Sequence, residues 1–339
     1  MDVVLALAIA LIGSLVATVI YVIIVWRLDR YEKEPVRLLA LAFLWGMIPA
    51  VIMAIFLEDA WSALVSALAG ETVSDFLGYV FAAPVVEESV KGLALLGFLA
   101  FFYREMDDVL DGIIYGAMVG LGFAFTENVL YVASGVTEQG VAAGVAILFL
   151  RTVIFGMNHA FFTALLGAGV GAARLTRGVA PRLILVGGAW LAAVSFHALH
   201  NLGTTLAESA GLSALALSVL VDWGGVLGML VLVALVWRVE ERWMVQELAP
   251  EVATGVLTPK QYAAVTTRSG RQRLLASTLR RYGWRRYRQQ QKEYDLLTEL
   301  AFKKHHARVM RGERGNAAEV ERLRATIQHE RDATPGSAV

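Results

Sequence analysis

The chain has no cysteine, so disulfides, thiolate nucleophiles and cysteine-ligated metals are all excluded. It is also short of charge. Asp, Glu, Lys and Arg make up 18% of its 339 residues, against roughly 25% in soluble domains. Three hydrolase signatures are missing: the membrane region has no His-Glu-x-x-His, no Gly-x-Ser-x-Gly and no Gly-Asp dipeptide. This sets aside the familiar zinc-helix, nucleophile-elbow and aspartyl arrangements. His329-Glu330 lies in the polar tail without a second histidine. What the sequence does have is apolar residues, 57% of the total, in runs long enough to cross a bilayer. It describes an integral membrane protein of the all-α class, a polytopic helical bundle.

Low-charge runs fall at Val3 to Trp26, Leu38 to Leu57, Phe76 to Tyr103, Gly112 to Gly135, Thr152 to Ala173, Leu183 to Leu206 and Leu212 to Trp237, which predicts seven transmembrane helices. Trp61 to Gly70 is too short to span and reads as a re-entrant or interfacial eighth piece. The first run begins Met1-Asp2 without a basic segment ahead of it, and so reads as a retained helix, not a cleaved signal peptide.

The formal net charge of zero hides two unlike regions. Residues 1–237, the predicted transmembrane catalytic domain, hold 10 Lys/Arg against 18 Asp/Glu, whereas residues 238–339 hold 20 against 12. Lys and Arg mark cytoplasmic loops. They cluster after the first run (Arg27, Arg30, Lys33, Arg37), between the fifth and sixth (Arg174, Arg177, Arg182) and in the tail, and are absent from the alternate loops. The N-terminus is therefore expected outside and residues 238–339 inside, as a basic, helical cytoplasmic domain with a disordered end from about Asp332. Thr258-Pro259 reads as an N-cap followed by proline at the first helical position. Arg280-Arg281 and Arg285-Arg286 suit either a solvated face or anionic lipid headgroups of the bilayer; no nucleic acid is expected as a partner.

Within the third run lies Glu87-Glu88-Ser89-Val90-Lys91. One charge near the middle of a membrane helix costs at least about 2.5 kcal/mol on insertion scales, so two acids and a lysine need partners or a task. On a helix Lys91 reaches both glutamates, as i+4 and i+3, so a buried staple is the structural explanation. The functional one needs water, a metal or a proton path. Measured from the outer end of each run, Glu87, Glu127, His159 and His197 all lie roughly 10–16 Å deep at 1.5 Å per residue. Scattered structural polar groups have no reason to share a depth, so these are expected to converge on one cavity.

Around them, Phe123 and Glu127 share a helical face, Asn128 is placed to orient that carboxylate, and Gly116 and Gly120 permit a close helix approach. Arg151 sits at an outer edge, where it snorkels to the surface or joins the site. His197 and Asn201 share a face suited to a metal or a polarised water, with His200 as the competing participant. Asp222 stands alone and reads as structural. The set contains a water-activating base, nitrogen and oxygen ligands and oxyanion donors, so hydrolysis is the natural reaction. Two chemistries fit: Zn2+ held by two His and one Glu, with Glu87 or Glu88 as base, or a glutamate acting without metal.

The ordered motifs EESVKG, DGIIYGAMVGLGFAFTEN, RTVIFGMNHAFFT and HALHN resemble the PrsW family of intramembrane proteases, related to the CAAX-prenyl endopeptidase and bacteriocin-processing superfamily. The resemblance covers about residues 80 to 205. It implies catalytic carboxylates at Glu87 and Glu88, with Lys91 as the basic residue of that motif. Glu127 takes the place of a histidine in the prenyl-endopeptidase branch, His159 belongs to the third motif, and His197 with Asn201 to the fourth. Metal ligation would fall to Glu127, His159 and His197, with Glu87 or Glu88. It further implies the bacterial cytoplasmic membrane and a membrane-anchored protein substrate of the anti-sigma-factor kind, cut near the outer face in a regulated proteolysis cascade. The competing classes are a proton- or ion-coupled transporter, against which stands the lack of an internal inverted repeat, and a catalytically inactive relative that binds membrane partners.

Overall fold

The structure is a computed structural model and describes residues 3–31, 33–309 and 316–332. All regular structure among the described residues is helical. The chain runs through α1 Val3–Leu28, α2 Val36–Trp45, α3 Val51–Ala69, α4 Glu71–Leu77, α5 Ala83–Phe101, α6 Val109–Gln139, α7 Val141–Phe149, α8 Asn158–Leu175, α9 Val179–Ala210 and α10 Leu212–Ala253. Then come α11 Pro259–Val265, α12 Arg268–Val309 and α13 Asn316–Asp332. Six segments among the described residues are long and apolar enough to cross a membrane: Val3–Leu28, Val36–Ala69, Val109–Gln139, Val141–Leu175, Val179–Ala207 and Leu212–Ala253. The remaining expected span is α5, whose 19 residues include Glu87, Glu88 and Lys91.

Two stretches expected as outer loops are helical. Trp61 to Gly70 is no separate piece: α3 continues through it to Ala69, Gly70 at φ 85° ends the helix, and α4 turns back so that Ser74 Oγ donates to Ser62 O at 3.2 Å. Likewise α6 runs on to Gln139, Gly140 at φ 97° reverses the chain, and α7 packs back against α6. Only glycine enters that backbone region without strain.

Three π-helical turns interrupt the bundle, at Gly46–Ala50, Gly78–Ala82 and Leu150–Ile154. Two have a local cause. Pro49 and Pro84 lack an N–H and crowd the carbonyl four residues back, which widens the preceding turn. A carbonyl freed inside a membrane must find another donor, and neighbouring side chains supply them. Thr126 Oγ1 donates to Met47 O (2.6 Å), Asn201 Nδ2 to Tyr79 O (2.8 Å), Tyr21 Oη to Thr152 O (2.6 Å) and Trp223 Nε1 to Ile154 O (2.8 Å).

Helix α6 is buried over most of its length and packs against α1, α2 and α8. Its glycines explain the closeness to α8. A Cβ on Gly116 would lie 2.5 Å from Thr163 O and one on Gly120 2.2 Å from His159 O, so the backbones touch where any side chain would hold them apart. At the start of α6, Asp108 accepts from Leu110 N (2.6 Å) and Asp111 N (3.0 Å), and Asp111 accepts from Asp108 N (2.8 Å), a reciprocal cap. This gives the acids of the Arg104–Asp111 loop a local role. Beside them Tyr115 donates to buried Glu34, whose backbone N–H donates to Asp29 Oδ2 at 2.8 Å. Burial lifts Glu34 to about 8 from an ordinary 4.5, opposed by hydrogen bonds with Asp111 and Tyr115 and reinforced by Asp29 and Asp107.

The chain forms two compact units, Met1–Asp29 with Glu34–Val233, and Arg30–Lys33 with Ala234–Val339. The second has its own core, with Met244, Leu248, Tyr294, Leu297, Leu300 and Leu323 at its centre. Thr258 caps α11, its Oγ1 accepting from Gln261 N at 3.2 Å, with Pro259 at the first position as expected. Gly283 at φ 78° breaks α12 into two antiparallel halves, which is how Arg271 reaches Asp295 and Thr298. The stretch after Asp332, read from composition as disordered, lies outside the described residues.

Candidate active site

The charged and polar groups of the cluster come from four helices, α5, α6, α8 and α9. On α5, Glu87, Glu88 and Lys91 share the buried face with Val90, Ala94 and Leu95. Trp45 Nε1 donates to Val90 O at 3.1 Å and ties α2 to this turn. Glu127 comes from α6, His159 and Thr163 from the first turns of α8, and His197 from α9. One ligand atom each from Glu87, Glu88, His159 and His197 lies within 4.8 Å of all the others, and all four residues are buried. Of the residues read at one depth, Glu87, His159 and His197 come together with Glu88, and Glu127 meets the group through His159.

The hydrogen bonds distinguish the two carboxylates. Glu88 is fully enclosed and takes Lys91 Nζ (2.9 Å), Thr163 Oγ1 (3.0 Å) and His197 Nδ1 (3.1 Å), donors from three helices. Among the described residues Glu87 takes a hydrogen bond only from Lys91, at 2.9 Å, and its Oε2 faces His159 Nδ1 at 3.9 Å and His197 Nε2 at 4.0 Å. Glu88 is committed to three neighbours, and Glu87 carries the lighter hydrogen-bond load.

Both imidazoles are oriented in the same way. His159 Nε2 lies 2.8 Å from Glu127 Oε2, and His197 Nδ1 faces Glu88. A carboxylate only accepts, so each histidine directs its N–H to that glutamate and its second nitrogen, with a lone pair, toward Glu87. Phe162 stacks on His197 (4.9 Å, 18°), and the two imidazoles meet edge to face at 5.1 Å. Glu127 is not among the four clustered ligands. Arg151 Nη2 holds it at 2.6 Å while Arg151 Nε donates to Asn128 Oδ1 at 2.7 Å, and the guanidinium lies over the Tyr131 ring. Arg151 therefore does not snorkel, and Asn128 orients the carboxylate through it.

Asn201 does not join the cluster either, because its amide is spent on Tyr79 O in the second π-turn. His200, the alternative to His197, points away from the glutamates toward Asp222, so Asp222 is not isolated. Sequence reading also missed Glu58. It lies one residue past the run ending at Leu57, on the continuous α3, within the electrostatic field of Glu127, Glu87 and Lys91, with a buried Oε1 that has no hydrogen-bond partner.

Three carboxylates, Glu87, Glu88 and Glu127, face two cations, Lys91 and Arg151. With neutral histidines the balance is negative and favours a further positive charge. Two imidazole lone pairs, one backed by Glu127 and the other by Glu88, beside Glu87 form a donor set that fits a divalent ion. Lys91 Nζ, bonded to both glutamates and 3.2 Å from His159 Nδ1, competes with such an ion for the same ligand atoms.

A family model described as PrsW family intramembrane metalloprotease matches residues 34–239, more than half of the chain. The chain belongs to the PrsW family. A protein named Protease PrsW from Geobacillus kaustophilus is 31% identical over 146 residues, covering 43% of this chain and 58% of that protein. The Bacillus subtilis Protease PrsW is 30% identical over 151 residues (44% and 61%), and that of Clostridioides difficile 33% over 139 residues (41% and 55%). The chain spans about three fifths of the length of these curated relatives. No solved structure matches it. Family and helices together make it an integral membrane protein, and the second unit lies almost entirely beyond the residues matched to the PrsW family.

Proposed function

We propose that this chain is an intramembrane endopeptidase that hydrolyses a peptide bond of a membrane-anchored protein, with Glu87 taking the proton of the attacking water. The observation that carries this reading is the convergence of Glu87, Glu88, His159 and His197 within 4.8 Å inside the helical bundle. PrsW family membership supports it. His159 and His197, with one carboxylate of the pair, would hold the metal, which the donor set suggests is Zn2+. When bound, such an ion supplies a Lewis acid that polarises the scissile carbonyl and the water. The chain's own residues do the rest. Glu88 fixes Lys91, Thr163 and His197 around the reacting centre, Arg151 and Glu127 hold the His159 ring, and Glu87 returns its proton to the leaving amine.

The proposed orientation, N-terminus outside and the tail cytoplasmic, rests on the loop charges and puts the cluster toward the outer half of the membrane. A substrate of the anti-sigma-factor kind is proposed from the family resemblance. The test is metal content by mass spectrometry on protein in lipid nanodiscs, together with cleavage of a membrane-anchored reporter before and after chelation. Stoichiometric zinc and chelator-sensitive cleavage are expected. Cleavage unaffected by chelation of metal-depleted protein contradicts the metal part and leaves Glu87 acting alone; no cleavage of any anchored reporter contradicts the proteolytic reading.

A further inference from the structure

The cluster leaves one buried dyad unused. His200 on α9 and Asp222 on α10 face each other with Nδ1 and Oδ2 2.7 Å apart, and are only 7% and 2% exposed. The carboxylate accepts, so His200 Nδ1 carries the proton and Nε2 presents a lone pair. Asn158 Nδ2 lies 3.3 Å from that Nε2 and donates to it. This fixes the amide so that Asn158 Oδ1 accepts from the backbone N–H of His159 at 2.7 Å. The line runs from Asp222 through His200 and Asn158 to His159, and every donor meets an acceptor in one arrangement of tautomer and amide. Asp222 keeps its other oxygen buried without a hydrogen-bond partner, so among the described residues His200 is the one polar contact that accounts for a carboxylate there.

The place where the line ends matters. Residues 155–157 break the helical path between the third π-turn and α8, so the first turn of α8, which sets the His159 ring, is not fixed by a continuous helix. The His159 N–H is one of the unsatisfied donors of that turn. Phe155 packs edge to face on His200 (4.8 Å, 77°), and Ser218 Oγ donates to His200 O at 3.1 Å, pinning α10 to α9 beside the dyad.

We infer that Asp222, His200 and Asn158 are positioning residues that fix the start of α8, and with it the His159 imidazole, through one enforced His200 tautomer. This rests on the hydrolytic reading of the cluster. The test uses the full chain in lipid nanodiscs with isotope-labelled histidine, reading the His200 tautomer by NMR beside the kinetics of reporter cleavage. Wild type is expected to show the Nδ1–H form, and Asp222→Leu a shift to the Nε2–H form. Asp222→Leu and Asn158→Ala are each expected to lower kcat about 10–100-fold with KM within about twofold, while Asp222→Asn, which keeps an acceptor, retains most of the rate. Asn158→Ala serves where Asp222→Leu does not fold. An Nε2–H tautomer in wild type overturns the inference, as does full kcat in Asn158→Ala alongside an inactive Glu87→Gln. Full activity of Glu87→Gln instead overturns the role given to Glu87, no cleavage by wild type overturns the hydrolytic reading, and in either case the tautomer still decides the hydrogen-bond line.

Discussion

At the residue scale, the geometry divides polar groups that the sequence offered as equals. Glu87 and Glu88 are adjacent and identical in type, and nothing in the sequence ranks them; their different hydrogen-bond loads arise from Thr163 and His197, which are distant in sequence. Asn201 is a comparable case. Its spacing from His197 put it on a plausible metal face, but the π-turn left Tyr79 O without a donor, and that local need claimed the amide. The prediction at this scale is that Asn201→Ala acts on stability more than on chemistry. A buried carbonyl left without its donor costs about 1–3 kcal/mol, so the melting temperature in detergent should fall while kcat per folded molecule stays within about tenfold. A loss of cleavage with unchanged melting would return Asn201 to the reacting centre.

At the element scale, most of the architecture was legible. Runs of about 20 apolar residues admit few alternatives to a membrane helix, and the Gly116/Gly120 pair announced a tight contact that the structure places against α8. The two hairpins were not legible, because Trp61 to Gly70 reads as a short separate piece and Val136 to Leu150 as a loop, whereas α3 continues to Ala69 with α4 turned back on it and α7 packs back on α6. The π-turns were hidden too, since a proline predicts a disturbance without saying that the helix absorbs it. Gly120 carries the sharpest prediction here. A Cβ would lie 2.2 Å from His159 O, a backbone atom that yields only if α8 moves, so Gly120→Ala should cost about 1–3 kcal/mol and slow cleavage by displacing His159. Gly187→Ala, which meets nothing within 4 Å, is the control, and melting and cleavage of the two variants check the expectation.

At the scale of the whole molecule, the second carboxylate cluster gives a pH signature separate from activity. Glu34 is raised to about 8 from 4.5, so the folded chain keeps a proton that the unfolded chain releases above its ordinary value. Stability from this group is full below about 4.5 and is lost as pH rises through about 8. Denaturation in detergent from pH 5 to about 9 should show that decline in wild type and a flatter profile in Glu34→Gln; parallel profiles would remove Glu34 as its source. The central claim is that Glu87 is the base of a hydrolytic centre assembled from α5, α6, α8 and α9. The most direct measurement is single-turnover cleavage of a membrane-anchored reporter by Glu87→Gln in nanodiscs, with metal content determined on the same sample. The account predicts a loss of about 10²–10⁴-fold with insertion and bound metal retained; cleavage by Glu87→Gln at the wild-type rate would contradict it.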